Sequence, residues 1–131
     1  MTLVLDSYAF LVFLKKEKGN EKMEKIFADA ANSGNNLLMS SVNFGEVYYI
    51  LLRESGVEKA DELEKLVDSL PVEIVNVGID IAREAARFKA VHKISYADCF
   101  AAALAKIYKG EVITGDKEFK SLEKEIGIMW L

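Results

Sequence analysis

Leu3-Val4-Leu5-Asp6-Ser7-Tyr8-Ala9-Phe10 is the stretch that decides the fold. Leu3 to Leu5 form a short apolar run that stops at an acid, the pattern of a buried strand. Ser7 then opens an apolar-rich helix that extends to about Lys16. A strand that passes directly into a helix is the first half of a βα unit.

The same alternation continues along the chain. A second helix is expected over Asn20–Ala31, with Met23, Ile26, Phe27 and Ala30 on one face, before the break Asn32-Ser33-Gly34-Asn35-Asn36. Leu37 to Met39 read as a second strand, and Ser40 or Ser41 caps a helix that runs to Ser55 and ends at Gly56. Glu58–Leu70 is amphipathic, with Ala60, Leu63, Leu66, Val67 and Leu70 inward, and Pro71 stops it. Val72–Val77 alternates as a strand, and helices follow over Ile79–Lys93 and Ser95–Tyr108. Val112-Ile113 is a strand, Phe119–Lys124 a short helix, and Ile128–Leu131 a last strand. Short apolar strands between helices predict an α/β fold with a mainly parallel sheet covered on both faces.

At 131 residues a single domain, 1–131, is expected, and 51% apolar residues suffice for a core. The longest apolar runs fall well short of the roughly 18 residues that mark a membrane span. Asp6 interrupts the first apolar stretch, so a signal peptide is not expected. With one cysteine, Cys99, no internal disulfide can form, and a cytoplasmic protein is the natural expectation. A net charge of −4 argues against a broad electrostatic grip on nucleic acid. It leaves room for local phosphate contact through a metal.

Four acids stand where apolar runs meet helices: Asp6, Glu46, Asp98 and Asp116. In open parallel sheets ligands bind beyond the carboxyl ends of the strands. Asp6 and Asp116 each follow a strand directly. Glu46 lies early in the helix after the second strand, and Asp98 in the first turn of a helix with no obvious strand before it. Carboxylates gathered at one edge repel unless a cation lies between them, and hard cations so held act on phosphate esters. Each acid also has a plain reading. Ser95-Tyr96-Ala97-Asp98 and Asn43-Phe44-Gly45-Glu46 have capping-box spacing, and Asp6 and Asp116 suit helix caps. Capping does not explain why Glu46 precedes Val47-Tyr48-Tyr49-Ile50-Leu51-Leu52, which predicts a largely buried helix.

Ser7, Asn43, Ser95 and Thr114 are short polar side chains suited to orienting carboxylates, Ser7 and Thr114 foremost. Gly115 is expected to permit a tight turn before Asp116. His92, the only histidine, reads as a solvated helix-end cation, and Cys99 as a buried thiol. The lysines at 15, 16, 18, 22 and 25 read as a solvated face or a phosphate-backbone flank. There is no Gly-rich phosphate loop, which disfavours an NTPase.

These motifs resemble the PIN domain, and within it the compact VapC-type ribonuclease toxins. The resemblance rests on Asp6-Ser7, Glu46, Ser95-Tyr96-Ala97-Asp98 and Thr114-Gly115-Asp116, in that order, and spans nearly the whole chain. It implies a three-layer α/β/α sandwich with about five mainly parallel strands. It also implies Mg2+ or Mn2+ held by Asp6, Glu46, Asp98 and Asp116, with Ser7 and Thr114 as polar helpers. Endoribonuclease activity on RNA, a homodimer and a cognate antitoxin protein follow from the same resemblance. Glu118 is the one further acid close enough after Asp116 to be an extra ligand, and it is expected to face solvent. No arginine adjoins a motif, leaving Lys117 as the nearby cation.

Other readings are an RNA-processing nuclease without an antitoxin, a non-catalytic protein-binding module, and aspartyl phosphoryl transfer on Asp6. The last expects a second aspartate at Tyr8.

Overall fold

The computed structural model describes residues 1–131. Its strands are β1 (Leu3–Leu5), β2 (Leu37–Ser40), β3 (Val72–Val75), β4 (Glu111–Thr114) and β5 (Gly127–Trp130). Its α-helices are α1 (Ser7–Lys15), α2 (Asn20–Ser33), α3 (Ser41–Ser55), α4 (Val57–Ser69), α5 (Ile79–Val91) and α6 (Tyr96–Ile107). The short helix before β5 is a 3₁₀ helix over Lys117–Leu122, slightly earlier than expected.

The strands form one all-parallel sheet in the order β3-β2-β1-β4-β5. Strand order reverses between β1 and β4, so the chain leaves these neighbours in opposite directions and opens a crevice beyond their carboxyl ends.

Adjacent residues of each strand face opposite layers, as the two-residue strand period requires. Val4, Leu38 and Val112 pack with α5, α6 and the 3₁₀ helix through Ala85, Phe88, Leu104 and Phe119. Leu5, Leu37, Met39 and Ile113 pack on the other face with α1 to α4 through Phe10, Phe27, Val47 and Leu63. The result is the expected three-layer sandwich.

α6 is buried over eight consecutive residues, Asp98 to Ala105. Its alanines let it lie close to the sheet. Only Tyr108–Gly110 separate it from β4, so α6 runs antiparallel to that strand and its N-terminus reaches the carboxyl edge. Gly110 is needed at this turn, because a Cβ there would meet the Thr2 carbonyl oxygen at 2.2 Å. This explains how Asp98 reaches the strand ends without a strand of its own in front.

α3 departs from the sequence expectation. Only Asn43 and Val47 are buried, whereas Tyr49 and Leu52 are exposed. Its apolar circumference covers the sheet on one side and leaves the other uncovered, so Glu46 is half-buried.

Candidate metal centre

β1 ends at Leu5, opposite Ile113 of β4, so Asp6 comes next to Thr114 across the switch point. Asp6 is fully buried and caps α1, its Oδ1 accepting the Ala9 N–H at 2.8 Å. Its Oδ2 is buried with no hydrogen-bond partner. Burial drives the Asp6 carboxyl up to about 7, and the charges of Asp116 and Glu46 push the same way. The Thr114 hydroxyl and the Ala9 N–H oppose this, although Thr114 makes no well-formed hydrogen bond to Oδ2. Instead Thr114 Oγ1 accepts the Asp116 N–H at 2.9 Å.

Asp116 caps the 3₁₀ helix, accepting the Glu118 N–H at 3.0 Å. Asp98 lies in the first turn of α6, and its N–H donates to Ser95 Oγ at 3.3 Å. The capping-box reading of this segment is only half realised. The Ser95 N–H donates to Glu118 Oε1 at 3.4 Å and not to Asp98. The Asp98 carboxyl is thereby left to face Asp116. Burial, the facing carboxyl of Asp116 and the charge of Asp6 all raise its proton affinity, against a smaller contribution from Ser95.

One carboxylate oxygen from each of Asp98, Asp116 and Glu118 lies within 4.8 Å of the others. Glu118 is exposed, as the sequence suggested, yet it turns back toward Asp98 and joins this group. The sequence signal for it was only the spacing Asp116-Lys117-Glu118, which is common on surfaces. Asp6 and Glu46 stand outside that tight trio. Both are near enough for Glu46 and Asp116 to act on Asp6, and for Asp6 to act on Asp98.

Asn43 ties the acid-bearing elements together. It is fully buried in the first turn of α3. Its Nδ2 donates to Ser7 Oγ at 3.1 Å and to the Ala97 carbonyl at 3.1 Å. Its Oδ1 accepts from Ser40 Oγ at 2.6 Å. The Ser7 hydroxyl in turn donates to the Asn43 carbonyl at 3.3 Å. Ser7 therefore works through Asn43 and makes no hydrogen bond to a carboxylate. Nothing local marks Asn43 out in the sequence, since Ser7, Asn43, Ser95 and Thr114 all read equally as ordinary cap or turn residues.

Two remaining expectations are revised. His92 is half-buried with its Nε2 against the Glu125 carboxylate, so it is not a freely solvated helix end. Gly115 has no left-handed backbone, and what requires glycine is the Tyr8 ring, whose Cε1 would lie 2.4 Å from a Cβ. Cys99 is buried as expected, and burial pushes its thiol up to about 11. Among the clustered lysines, Lys15 pairs with Glu54 and Lys25 with Asp29. A groove of about 510 Å³ between α1, α3 and α4 is lined by residues such as Leu14, Leu51, Glu54 and Leu63. None of Asp6, Glu46, Asp98, Asp116 and Glu118 lines it, and the chemistry and burial of those acids make the strand edge the candidate site.

The donor set suits a hard divalent cation. It consists of carboxylate oxygens alone, two of its acids have raised proton affinity, and one buried oxygen lacks any partner. A cation would relieve the repulsion and satisfy Asp6 Oδ2 together.

A family model described as PIN domain matches residues 3–125. No curated protein matches the chain. Among solved structures, the chain is similar to one in the DNA-bound VapBC of Salmonella typhimurium. The TM-score is 0.77 at 17% identity, covering 99% of this chain and 98% of that one. VapBC2 of Rickettsia felis, bound to a DNA fragment from its promoter, gives a TM-score of 0.77 at 15% identity, covering 100% and 99%. VapC20 of Mycobacterium tuberculosis, a sarcin-ricin loop cleaving toxin, gives 0.70 at 16%, covering 92% and 94%. At these identities the likeness is one of fold.

Proposed function

The chain belongs to the PIN domain family, and from that premise we propose that it is a divalent-metal-dependent endoribonuclease, the toxin of a toxin–antitoxin pair. The observation that carries the reading is the partnerless, fully buried Asp6 Oδ2 beside the carboxylates of Asp98, Asp116 and Glu118. A fold has no structural reason to bury an acid oxygen in this way, since an unpaired buried polar atom costs roughly 1–3 kcal/mol.

Asp98, Asp116 and Glu118 would hold Mg2+ or Mn2+, with Asp6 joining through Oδ2. When bound, such an ion supplies positive charge against phosphate oxygens and acidifies nearby water. Binding keeps Asp6 and Asp98 ionised at neutral pH, where burial alone favours their protonated forms. Glu46, half-buried and close to Asp6, takes the proton from the attacking water at its carboxylate. The first-turn N–H groups of α1, α3 and α6 place positive dipole ends around the carboxylates and the incoming phosphate. Lys117, exposed beside Asp116, is the side chain available to the leaving oxygen.

The antitoxin assignment is supported by the neighbours, several of which are toxin–antitoxin complexes. A homodimer is supported by the exposed apolar side chains of Tyr49 and Leu52 on α3. No helix is long and apolar enough to cross a membrane.

The test is cleavage of single-stranded RNA by the purified protein with Mn2+ or Mg2+, repeated with chelator and with Asp6→Asn and Asp98→Asn. Cleavage that needs the metal and fails in both variants is expected. Undiminished cleavage in either variant, or in chelator, removes the assignment.

A further inference from the structure

The edge that carries the acids also carries a half-exposed aromatic ring packed against the turn before Asp116. Tyr8 lies in the first turn of α1, two residues after Asp6, and is 46% exposed. One side of its ring rests on the backbone of Gly115, between Thr114 and Asp116, where a Cβ would lie 2.4 Å from Cε1 and 3.0 Å from Cζ. The glycine makes room for the ring, and the contact holds the ring beside Asp116. No hydrogen bond or ion pair involving the Tyr8 side chain accounts for this placement.

Beyond the ion, the helix N-termini and Lys117, electrostatics gives little help in gripping RNA at this edge. The chain carries a net charge of −4, and the site itself is built of acids. A contact that does not depend on charge would add to binding there. Unstacked bases of single-stranded RNA bind aromatic faces regardless of the sign of the surrounding charge.

We propose that Tyr8 is a nucleobase platform, stacking an unpaired base of single-stranded RNA next to the phosphate held at the carboxylates. This rests on the ribonuclease reading above and adds to it a residue that contacts the substrate. A platform of this kind favours single-stranded substrate over duplex, because a paired base must first be unstacked and unpaired, at a cost in free energy, to meet the ring. It also predicts tolerance of base identity at the stacked position, since every base offers a π-face.

The experiment compares two labelled oligomers of equal length in fluorescence anisotropy: a mixed-sequence oligoribonucleotide, and a spacer strand with the same phosphates and no bases. Ca2+ replaces the activating ion. The proteins are the unsubstituted chain, Tyr8→Phe, Tyr8→Leu and Tyr108→Ala. Leucine keeps apolar bulk against Gly115 without an aromatic face. Tyr108 is an equally exposed tyrosine at the far end of α6. The unsubstituted chain is expected to prefer the base-bearing strand about tenfold, as are Tyr8→Phe and Tyr108→Ala, while Tyr8→Leu binds both strands alike.

An unsubstituted chain without that preference overturns the proposal. So does a preference kept by Tyr8→Leu, or lost by Tyr8→Phe or Tyr108→Ala. Cleavage in Mn2+, measured in parallel, separates the two readings. Base-dependent binding through Tyr8 without cleavage leaves the platform and removes the nuclease. Cleavage with the preference intact in Tyr8→Leu does the reverse.

Discussion

Asn43 Nδ2 donates to the Ala97 carbonyl at 3.1 Å, joining the first turn of α3 to the first turn of α6 across 54 residues of sequence. The neighbouring residue on that turn is Asp98, and the same amide group holds Ser7, the neighbour of Asp6. One buried side chain therefore sets how the acid of β1 stands relative to the acid of α6.

Asn43→Ala removes these bonds and leaves Ser7 Oγ without its donor. Unfolding in urea should show a loss of about 1–3 kcal/mol. Calorimetric titration with Mn2+ on the folded variant should show affinity lower by about 10–100-fold, the usual cost of removing a group that orients metal ligands. A loss of stability with unchanged metal affinity would make Asn43 a packing residue only.

Asp98→Asn should affect stability and activity in opposite directions. In the metal-free protein, burial and the facing carboxyls of Asp116 and Asp6 disfavour the ionised form of Asp98. A neutral amide escapes that penalty, so the thermal midpoint at pH 8 without metal should rise. Stabilisation by added Mn2+ should shrink or vanish, and RNA cleavage should fall at least 100-fold. A lower midpoint without metal would show that the like charges are not a source of strain.

The pH dependence of the metal-free protein follows from Asp6 and Asp98. Their carboxyls are raised from 3.8 to about 7 and about 8 on folding. Between 3.8 and those values the folded chain holds protons that the unfolded chain releases, so stability falls as pH rises and the loss is complete only above about 8. Metal-free protein should be more stable at pH 5 than at pH 8, by a few kcal/mol. Saturating Mn2+ should reduce this difference, and Asp6→Asn should remove part of it, leaving the part that belongs to Asp98. Urea titrations at both pH values, with and without metal, provide the measurement.

Gly115→Ala should displace the half-exposed Tyr8 ring, because the new Cβ meets it at 2.4 Å, and should destabilise the fold by up to about 1 kcal/mol. Tyr8→Ala in the same chain should restore most of that loss. A double-mutant cycle in urea measures the coupling. Independent, additive effects would mean that the turn itself and not the ring demands glycine.

The alternation of short apolar runs with helices, Leu3–Leu5 and Val112-Ile113 most clearly, was enough to predict a parallel sheet with both faces covered, because the period of burial is written in adjacent residues. The acids at strand ends were legible for the same local reason: an acid that stops an apolar run stands out. Local patterns misled where a side chain's surroundings come from elsewhere. The run Val47 to Leu52 read as a largely buried helix able to contact both the core and a second subunit, and nothing in this chain covers its outer face, so Tyr49 and Leu52 stay exposed. Glu118 looked like an ordinary surface acid and belongs to the carboxylate group, because the 3₁₀ helix turns it toward Ser95 and Asp98.

By itself the sequence determined which residue types stand at the carboxyl ends of the strands, since strand, cap and acid are neighbours along the chain. Only the tertiary structure decided which oxygens face one another. The antiparallel run of α6, the amide of Asn43 and the switch between β1 and β4 bring together groups separated by dozens of residues. Burial then does to Asp6 and Asp98 what no local pattern encodes: it removes the water that would have kept them charged.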